Sequence, residues 1–464
     1  MLRERIQKFH FVGIGGIGMS GIARILLEMG YQVSGSDLRE NDRIRELRSL
    51  GAEIYLSHSG ENVGDAQVVV YSSAVPQDNP EIRRAREAGI PTISRGEMLA
   101  ELFRMKEGIA ISGTHGKTTT TSMVAHILQR AGFDPTVIIG GVLRSLGSNA
   151  RLGRGDLLVS EADESDGSFL KLYPAVAVVT NIDEEHLDFY GSFSAVKEAF
   201  LSFVERVPFY GFSVLNADDA GCREILRSLS RRAVTFGLGA EATVRARNLK
   251  LSEGGYLFEV SYGGDPLGTL HLRIPGRHNV YNALAATAVA LELGVDFGTV
   301  KVALESFRNA QRRLELKGYL QGAPVYDDYG HHPTEIREVL RTLRELYPEK
   351  RILLVFQPHR YSRTHYLFEK FVEVLREADT VLLTDIFPAG ERNTYAVSAE
   401  ELARQSGALH VPSKEELFSR LRSMVTGEEV VAFVGAGSIS RWCDEILSDY
   451  SISTRSSSIR YSPL

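Results

Sequence analysis

Gly113-Thr114-His115-Gly116-Lys117-Thr118-Thr119-Thr120-Thr121 follows the apolar run Ile109-Ala110-Ile111 and opens a stretch of helical periodicity that lasts to about Leu128. Strand, tight glycine loop and helix, in that order, form the setting in which backbone N–H groups and a helix N-terminus hold a polyphosphate. Lys117 and Thr118 stand where the phosphate-loop pattern puts the lysine that reaches the terminal phosphates and the hydroxyl that binds Mg²⁺. The match is imperfect, because the first glycine of that pattern would fall at Ile111 and here comes at Gly113. A glycine- and threonine-rich helix start with no ligand is the plain alternative. Lys117 and Thr118 in register favour an ATP site lined by Gly113, Thr114, His115, Gly116 and Thr119.

The chain around this loop has 464 residues and a mass of 51.3 kDa, too much for one hydrophobic core. It divides by pattern into residues 1–106, 107–309 and 310–450, with a Ser-rich tail at 451–464 expected to be disordered. Hydrophobic content of 43% and charged content of 24% are ordinary for a soluble protein, and the apolar runs are too short for a transmembrane helix. Met1 to Gly13 lacks a signal-peptide layout, so a cytoplasmic protein is expected. Cys222 and Cys443 are the only cysteines, which excludes a disulfide framework or a cysteine-based zinc site. A net charge of -6 without a basic stripe speaks against a nucleic-acid partner.

In the first segment an apolar strand, Lys8 to Val12, leads into Gly13-Ile14-Gly15-Gly16-Ile17-Gly18-Met19 and a helix. This is G-x-G-x-x-G in a strand-to-helix setting, and Asp37 lies about 20 residues on, where the fingerprint places a ribose-binding carboxylate. NAD, FAD and a nucleotide sugar all present a pyrophosphate to such a turn, and a glycine turn without ligand is a further alternative. Later strands end in Ser72-Ser73 and at Arg95, at the sheet edge where open α/β sheets bind ligands.

In the second segment one strand runs into Glu161-Ala162-Asp163-Glu164-Ser165-Asp166 and the next into Asn181-Ile182-Asp183-Glu184-Glu185-His186. An acidic run is by default a solvated loop. Two such strand ends beside a phosphate loop instead suit Mg²⁺, with Glu161 and His186 as preferred ligands. Glycine pairs between Ser213 and Leu272 predict an antiparallel insertion or sheet edge. His278-Asn279-Val280-Tyr281-Asn282 then leads into an alanine-rich helix, where the amides either read a base edge or, in the case of Asn279, cap the helix. The third segment alternates strand and helix. Its polar loops are Arg312-Arg313, Asp327-Asp328-Tyr329-Gly330-His331-His332-Pro333 and Gln357-Pro358-His359-Arg360-Tyr361-Ser362-Arg363. Arg360 and Arg363 suit a small carboxylate, which guanidinium groups clamp in bidentate fashion, unless they are plain surface charge. The fold class expected is α/β in three domains: N-terminal Rossmann-like, central P-loop ATPase-type with the antiparallel insertion, and C-terminal Rossmann-like.

Taken together, the Gly13 to Met19 turn, the Gly113 to Thr121 loop, Ser160 to Asp166, Asp327 to Pro333 and Gln357 to Arg363 resemble the ATP-dependent Mur ligases of peptidoglycan synthesis, over nearly the full chain up to about Leu447. The resemblance implies three domains that bind a UDP-sugar, ATP and an incoming amino acid. It implies amide formation between the lactyl carboxylate of UDP-N-acetylmuramate and L-alanine through an acyl phosphate, with ATP, Mg²⁺ or Mn²⁺ as cofactors and a monomer or weak homodimer as the assembly. It places Gly15, Gly16, Ile17, Gly18, Met19, Asp37, Ser72, Ser73 and Arg95 on the UDP-sugar, and Lys117 on the γ-phosphate. Thr118, Glu161 and His186 would serve the metal. His278, Asn279 and Asn282 would lie on the adenine side, with Arg313 near the phosphates and Asp328 near the ribose. Tyr329, His331, Arg360 and Arg363 would meet L-alanine and the transition state, His331 being the candidate general base. Closure of the domains is expected to assemble the site. The sister ligases' carbamylated lysine has no counterpart that can be placed, since the helix after His186 offers only Lys197. Rival readings are an NAD-dependent oxidoreductase, a P-loop switch, and a recycling ligase that joins a ready-made peptide to the same UDP-sugar.

Overall fold

The computed structural model describes residues 5–143 and 148–458. Its first sheet is all parallel in the order β3-β2-β1-β4-β5, made of β1 (Lys8–Val12), β2 (Gln32–Ser36), β3 (Glu53–Tyr55), β4 (Val68–Tyr71) and β5 (Thr92–Ser94). Central β1 is buried on both faces along Phe9-His10-Phe11-Val12, as expected of a parallel strand covered by helices on each side.

The second sheet has ten strands: β6 (Glu107–Ser112), β7 (Thr136–Leu143), β8 (Ser148–Arg151), β9 (Leu157–Glu161), β10 (Val176–Val179), β11 (Phe212–Asn216), β12 (Ala233–Gly237), β13 (Val244–Ser252), β14 (Gly255–Tyr262) and β15 (Asp265–Leu272). Their order is β15-β14-β13-β12-β11-β10-β6-β9-β7-β8. Between Ser213 and Leu272 the strands extend this sheet in sequence order rather than standing apart from it. β11 and β12 continue the parallel pairing from β10, and β13 pairs parallel with β12. The chain then doubles back at Glu253-Gly254 (φ 43° and 74°) and Gly263-Gly264 (φ 58° and 99°). Positive φ at both central residues is the signature of a two-residue hairpin turn of type I′.

The third sheet has the order β16-β17-β21-β18-β19-β20, from β16 (Glu315–Leu320), β17 (Ala323–Asp328), β18 (Arg351–Phe356), β19 (Thr380–Leu383), β20 (Leu409–His410) and β21 (Glu429–Val434). β16 and β17 are antiparallel and the other pairs parallel. The last helix spans Ile439–Ser458 and so runs on into the segment expected to be disordered, while residues 459–464 lie outside the described residues.

Two compact units result. One holds the first two sheets apart from the turn between β13 and β14, comprising the chain up to Lys250, Leu257–Ile274 and Asn279–Ala310. The other comprises Leu251–Tyr256, Pro275–His278 and the chain from Gln311 on. A single apolar cluster joins the first two sheets, running from Phe9, Met19 and Ile22 to Ile138, Phe169 and Phe203. Asn149 Nδ2 donates across this junction to Ile17 O at 2.5 Å, and Arg24 Nη1 to Ser148 Oγ at 2.6 Å. All three sheets raise their polar loops from strand C-termini, the edge at which α/β folds carry ligands.

Candidate functional site

The loop after β6 is held in shape by its neighbour β10. Thr180 Oγ1 donates to His115 O at 2.5 Å, Asn181 Nδ2 donates to the same oxygen at 3.1 Å, and His115 N donates back to Asn181 Oδ1 at 2.9 Å. Asp183 N donates to Thr114 Oγ1 at 2.9 Å. Gly113 (φ 123°) and Gly116 (φ 84°) take conformations that side chains rarely adopt. A Cβ at Gly113 would stand 2.1 Å from Thr180 Oγ1, and one at Gly116 would stand 2.5 Å from Asn282 Oδ1. The helix Lys117–Arg130 then starts at Gly116 without a side-chain cap, leaving its first N–H groups directed into the loop.

Lys117 is bent over its own loop. Its Nζ donates to Gly113 O at 2.6 Å, to Thr114 O at 3.2 Å and to Glu164 Oε1 at 2.8 Å. The acidic run after β9 is therefore no solvated loop, since each carboxylate is engaged. Glu161 Oε1 accepts from Gly140 N at 2.7 Å, Asp163 Oδ2 accepts from Arg95 Nη2 at 3.2 Å, and Asp166 Oδ1 accepts from Ser168 N at 3.0 Å. Burial pushes Glu164 up to about 7 against the pull of Lys117. Burial also works against the charge on Lys117, but Glu164, Asp163 and Glu161 outweigh it and raise the ammonium above its ordinary value. Asp163 is held low because Arg95 and Lys117 overcome its own desolvation. His186, at φ 56°, brings its Nε2 to 3.8 Å from Glu164 Oε1. The structure thus gathers Lys117, Thr118, Glu161 and His186 on one rim and adds Asp163 and Glu164, which the motif reading passed over. Glu164 Oε2 is buried with no hydrogen-bond partner, while its other oxygen faces Lys117 Nζ and, at 3.8 Å, His186 Nε2; the side chains named for the metal are a hydroxyl (Thr118), a carboxylate (Glu161) and one imidazole (His186). Such an oxygen-dominated set fits a hard divalent cation.

Asn279 and Asn282 are buried inside the first turns of the helix Arg277–Glu292, where Asn282 Nδ2 donates to Asn279 Oδ1 at 3.1 Å. Asn279 sits at the third helical residue and is not a cap. Asn282 Oδ1 accepts from Thr120 Oγ1 at 3.2 Å, and Asn309 Oδ1 accepts from Thr119 Oγ1 at 3.2 Å, which fixes the phosphate-loop helix from the side. Their neighbour His278 falls in the other compact unit, its Nδ1 3.7 Å from Glu338 Oε2. Burial tends to raise Glu338, but its interactions with His278 and Arg341 outweigh this and keep it below the ordinary carboxylate range.

At the first glycine turn Gly15 N donates to Asp37 Oδ2 at 2.9 Å, and Gly15 O accepts from Arg43 Nε at 2.8 Å and Asn41 Nδ2 at 3.2 Å. Asp37 thus closes on its own turn, with its other oxygen taken by Leu38 N at 2.8 Å, where the fingerprint reading had it reaching a ribose. Gly16 caps the helix Ile17–Glu28, and Met19 is core. Ser72 and Ser73 follow β4, and Ser72 Oγ accepts from Ala74 N at 3.3 Å. A Cβ at Gly18 would meet Arg95 Cδ at 3.1 Å, so Arg95 reaches from this turn to Asp163 in the central domain.

In the C-terminal unit the expected residues cluster at the ends of β17 and β18. Tyr329 and His331 rings are 5.5 Å apart, His331 and His359 rings 5.9 Å apart, and the guanidinium carbons of Arg312 and Arg313 lie 4.9 and 5.5 Å from the Tyr329 ring centre. Arg363 is buried and donates to His359 O at 3.1 Å. Arg360 has φ 71°, an unusual value for a residue with a Cβ, pinned by its N–H donating to Phe387 O at 2.8 Å. Asp328 accepts from Leu314 N and Gly330 N, both at 2.7 Å, and burial raises its carboxyl despite Arg313. Both carboxylate oxygens thus serve the local backbone.

Three family models match in sequence order: the Mur ligase family catalytic domain over residues 8–107, the Mur ligase middle domain over 111–290 and the Mur ligase glutamate ligase domain over 312–437. The chain is 64% identical to the UDP-N-acetylmuramate–L-alanine ligase of Aquifex aeolicus (strain VF5), over 97% of this chain and 100% of that protein. The chain belongs to the Mur ligase family. A second relative of the same name, from Geobacter sulfurreducens, is 51% identical over 94% of this chain and 96% of that one. Among solved structures, the UDP-N-acetylmuramate-alanine ligase of Thermotoga maritima superposes with TM-score 0.81 at 34% identity, covering 96% of this chain and 99% of that one. A murein peptide ligase from Psychrobacter arcticus shares the fold with TM-score 0.74 at 23% identity, covering 96% and 98%.

For a Mur ligase, the helix after His186 is notable for what its lysine does. Lys197, on the helix Phe193–Val204, pairs with Glu224 and lies 5.1 Å from the Phe193 ring centre. It is committed to Glu224 and to the Phe193 ring on its own helix. His359 and Glu391 are further residues that motif reading left out. Glu391 accepts from Ser362 Oγ at 2.7 Å and Ser362 N at 3.0 Å, and its Oε1 is 3.9 Å from Arg360 Nε. The strand-end position of His359 was visible in sequence, but Glu391 sits in a loop with no motif to mark it.

Proposed function

We propose that this Mur ligase forms the amide between the lactyl carboxylate of UDP-N-acetylmuramate and the amine of L-alanine, with ATP converted to ADP and phosphate (EC 6.3.2.8). The observation that carries the reading is the phosphate loop itself, with Lys117 held over Gly113 and Thr114 and bordered by the Glu161 to Asp166 run. The names of the relatives at 51–64% identity supply the substrates.

In this reading Gly113 to Thr119 bind the ATP phosphates, and Lys117 stabilises charge on the transferring phosphoryl group. Mg²⁺, with Mn²⁺ as a substitute, would be held by Thr118, Glu161 and His186 and would supply further neutralisation of the phosphoryl oxygens. Asn279, Asn282 and His278 serve the adenine side, with Arg313 and Asp328 toward phosphate and ribose. Gly15, Gly16, Ile17, Gly18, Ser72, Ser73 and Arg95 form the UDP-sugar site, with Met19 packed behind the turn in the core. Asp37 contributes there by holding the turn. The lactyl carboxylate attacks the γ-phosphorus in line, the bond from that phosphorus to the β,γ-bridging oxygen breaks, ADP leaves with its electron pair, and the resulting acyl phosphate carries the activated carbonyl. Arg360 and Arg363 take the carboxylate of L-alanine through guanidinium forks. His331, whose Nδ1 is 3.0 Å from Tyr329 O, takes the proton from the alanine ammonium and Tyr329 walls the site. The amine attacks the carbonyl, and the tetrahedral intermediate collapses with loss of phosphate. Among the described residues no helix is long and apolar enough to cross a membrane. In this reading the enzyme works in the cytoplasm, where its substrates are made, as a monomer or weak homodimer.

Phosphate release from ATP and Mg²⁺ tests the reading. With UDP-N-acetylmuramate present, release that requires L-alanine is expected. Release with a tripeptide but not with L-alanine would reassign the chain as a recycling ligase, and no release with either would overturn the ligase reading.

A further inference from the structure

An ammonium group has three N–H donors. Lys117 spends all of them close to home, on Gly113 O, Thr114 O and Glu164 Oε1. A lysine so engaged must give up at least one partner to reach a phosphate. Glu164 is the partner whose loss matters most, because its carboxylate is only 3% exposed and its second oxygen already lacks a hydrogen bond. Tyr190 Oη donates to the Glu164 carbonyl at 2.6 Å, which holds the residue in place. Withdrawing the ammonium would leave a buried carboxylate uncompensated and facing an incoming polyanion, a costly arrangement.

We propose that Glu164 is a positioning residue that makes Lys117 available only to a nucleotide arriving with a divalent cation. The inference rests on the ATP reading of the Lys117 loop. Glu164 competes with phosphate for Lys117, so a nucleotide alone meets a lysine that is already neutralised. A divalent cation held with the help of His186, whose Nε2 lies 3.8 Å from Glu164 Oε1, would replace the ammonium as the counter-charge of Glu164 and free Lys117. Through this exchange the loop selects the metal-bound nucleotide before any chemistry occurs.

The test is calorimetric titration of ATP into the full chain with and without Mg²⁺. In Glu164→Gln, which keeps the shape and removes the charge, Mg²⁺-free ATP should bind about tenfold more tightly than to the unaltered chain, the scale of one partly buried charge contact. Affinity with Mg²⁺ should change much less. The gain must vanish in the Lys117→Met background, which a general repulsion between Glu164 and phosphate would not predict. Unchanged or weaker Mg²⁺-free binding in Glu164→Gln, or a gain that survives in Lys117→Met, overturns the proposal. If Glu164→Gln does not fold, Glu164→Asp carries the same test: its shorter carboxylate should give a smaller gain of the same sign, and no gain overturns. Should ATP fail to bind the unaltered chain, or bind Lys117→Met equally well, it is the reading of the loop itself that fails.

Discussion

At the end of β1 and again at the end of β6 the chain goes from strand through a glycine turn into a helix, yet the two turns carry their charge differently. The Gly113 turn contains its own cation, Lys117, and a neighbouring strand end supplies the counter-charge in Glu164. The Gly13 turn has no cation of its own. A carboxylate, Asp37, occupies the Gly15 N–H, and the cations come from outside: Arg43 on Gly15 O and Arg95 beside Gly18. A glycine pattern therefore marks where a polyphosphate backbone can approach, but the side chains brought in by other elements decide what the turn does.

The comparison breaks most visibly at the self-contained turn. Lys117→Met should lower the rate of phosphate release by about 10³-fold, because no other cation is built into that loop; a loss below tenfold would mean that the counter-charges, not Lys117, dominate. Next comes Gly113→Ala. Its Cβ would meet Thr180 Oγ1 at 2.1 Å and Thr180 N at 2.8 Å, and its φ is 123°. Denaturant unfolding should show a loss of about 2 kcal/mol or more. Gly15→Ala, whose Cβ meets only the side-chain ends of Asn41, Asp37 and Ile44 at 2.8 to 3.0 Å, should cost less than about 1 kcal/mol in the same assay. Equal losses at the two glycines would erase the difference between the two turns. Arg95→Ala should raise the KM for UDP-N-acetylmuramate by about tenfold with kcat nearly unchanged, since an outside cation binds without being part of the transfer step. The smallest effect is expected of Asp37→Asn, which keeps an acceptor for Gly15 N–H: a change in KM of no more than about threefold. A far larger one would return Asp37 to the ribose.

What could be read in the sequence follows the same division. Lys117 and Thr118 were legible because their place in the loop is fixed by covalent spacing. Glu164 was not, because Glu161, Asp163, Glu164 and Asp166 look alike until β9 and its loop turn each to a different partner. Asp37 shows the limit from the other side: spacing put it at the correct strand end, but spacing does not say whether a carboxylate faces a ligand or its own turn. His278 and Asn279 are adjacent in sequence and fall in different compact units. The strands from Ser213 to Leu272 announced themselves by their glycine pairs. That they would extend the ten-stranded sheet depended on pairing with β10, which no local pattern encodes.

The apolar cluster that joins the first two sheets also bears on how the chain comes apart. Gly21 leaves room for Asn149 and Ala150 against its helix, and Gly96 does the same for Ser168, so two structural layers with separate binding tasks share one interior. Cooperativity follows the interior rather than the task. On heating, the first two sheets should lose structure in one transition, and amides on both should exchange together. A fragment ending near Met105 would carry half of a core, whereas one ending near Ala310 would carry a whole one. The natural place to divide this chain is therefore its second domain boundary, not its first.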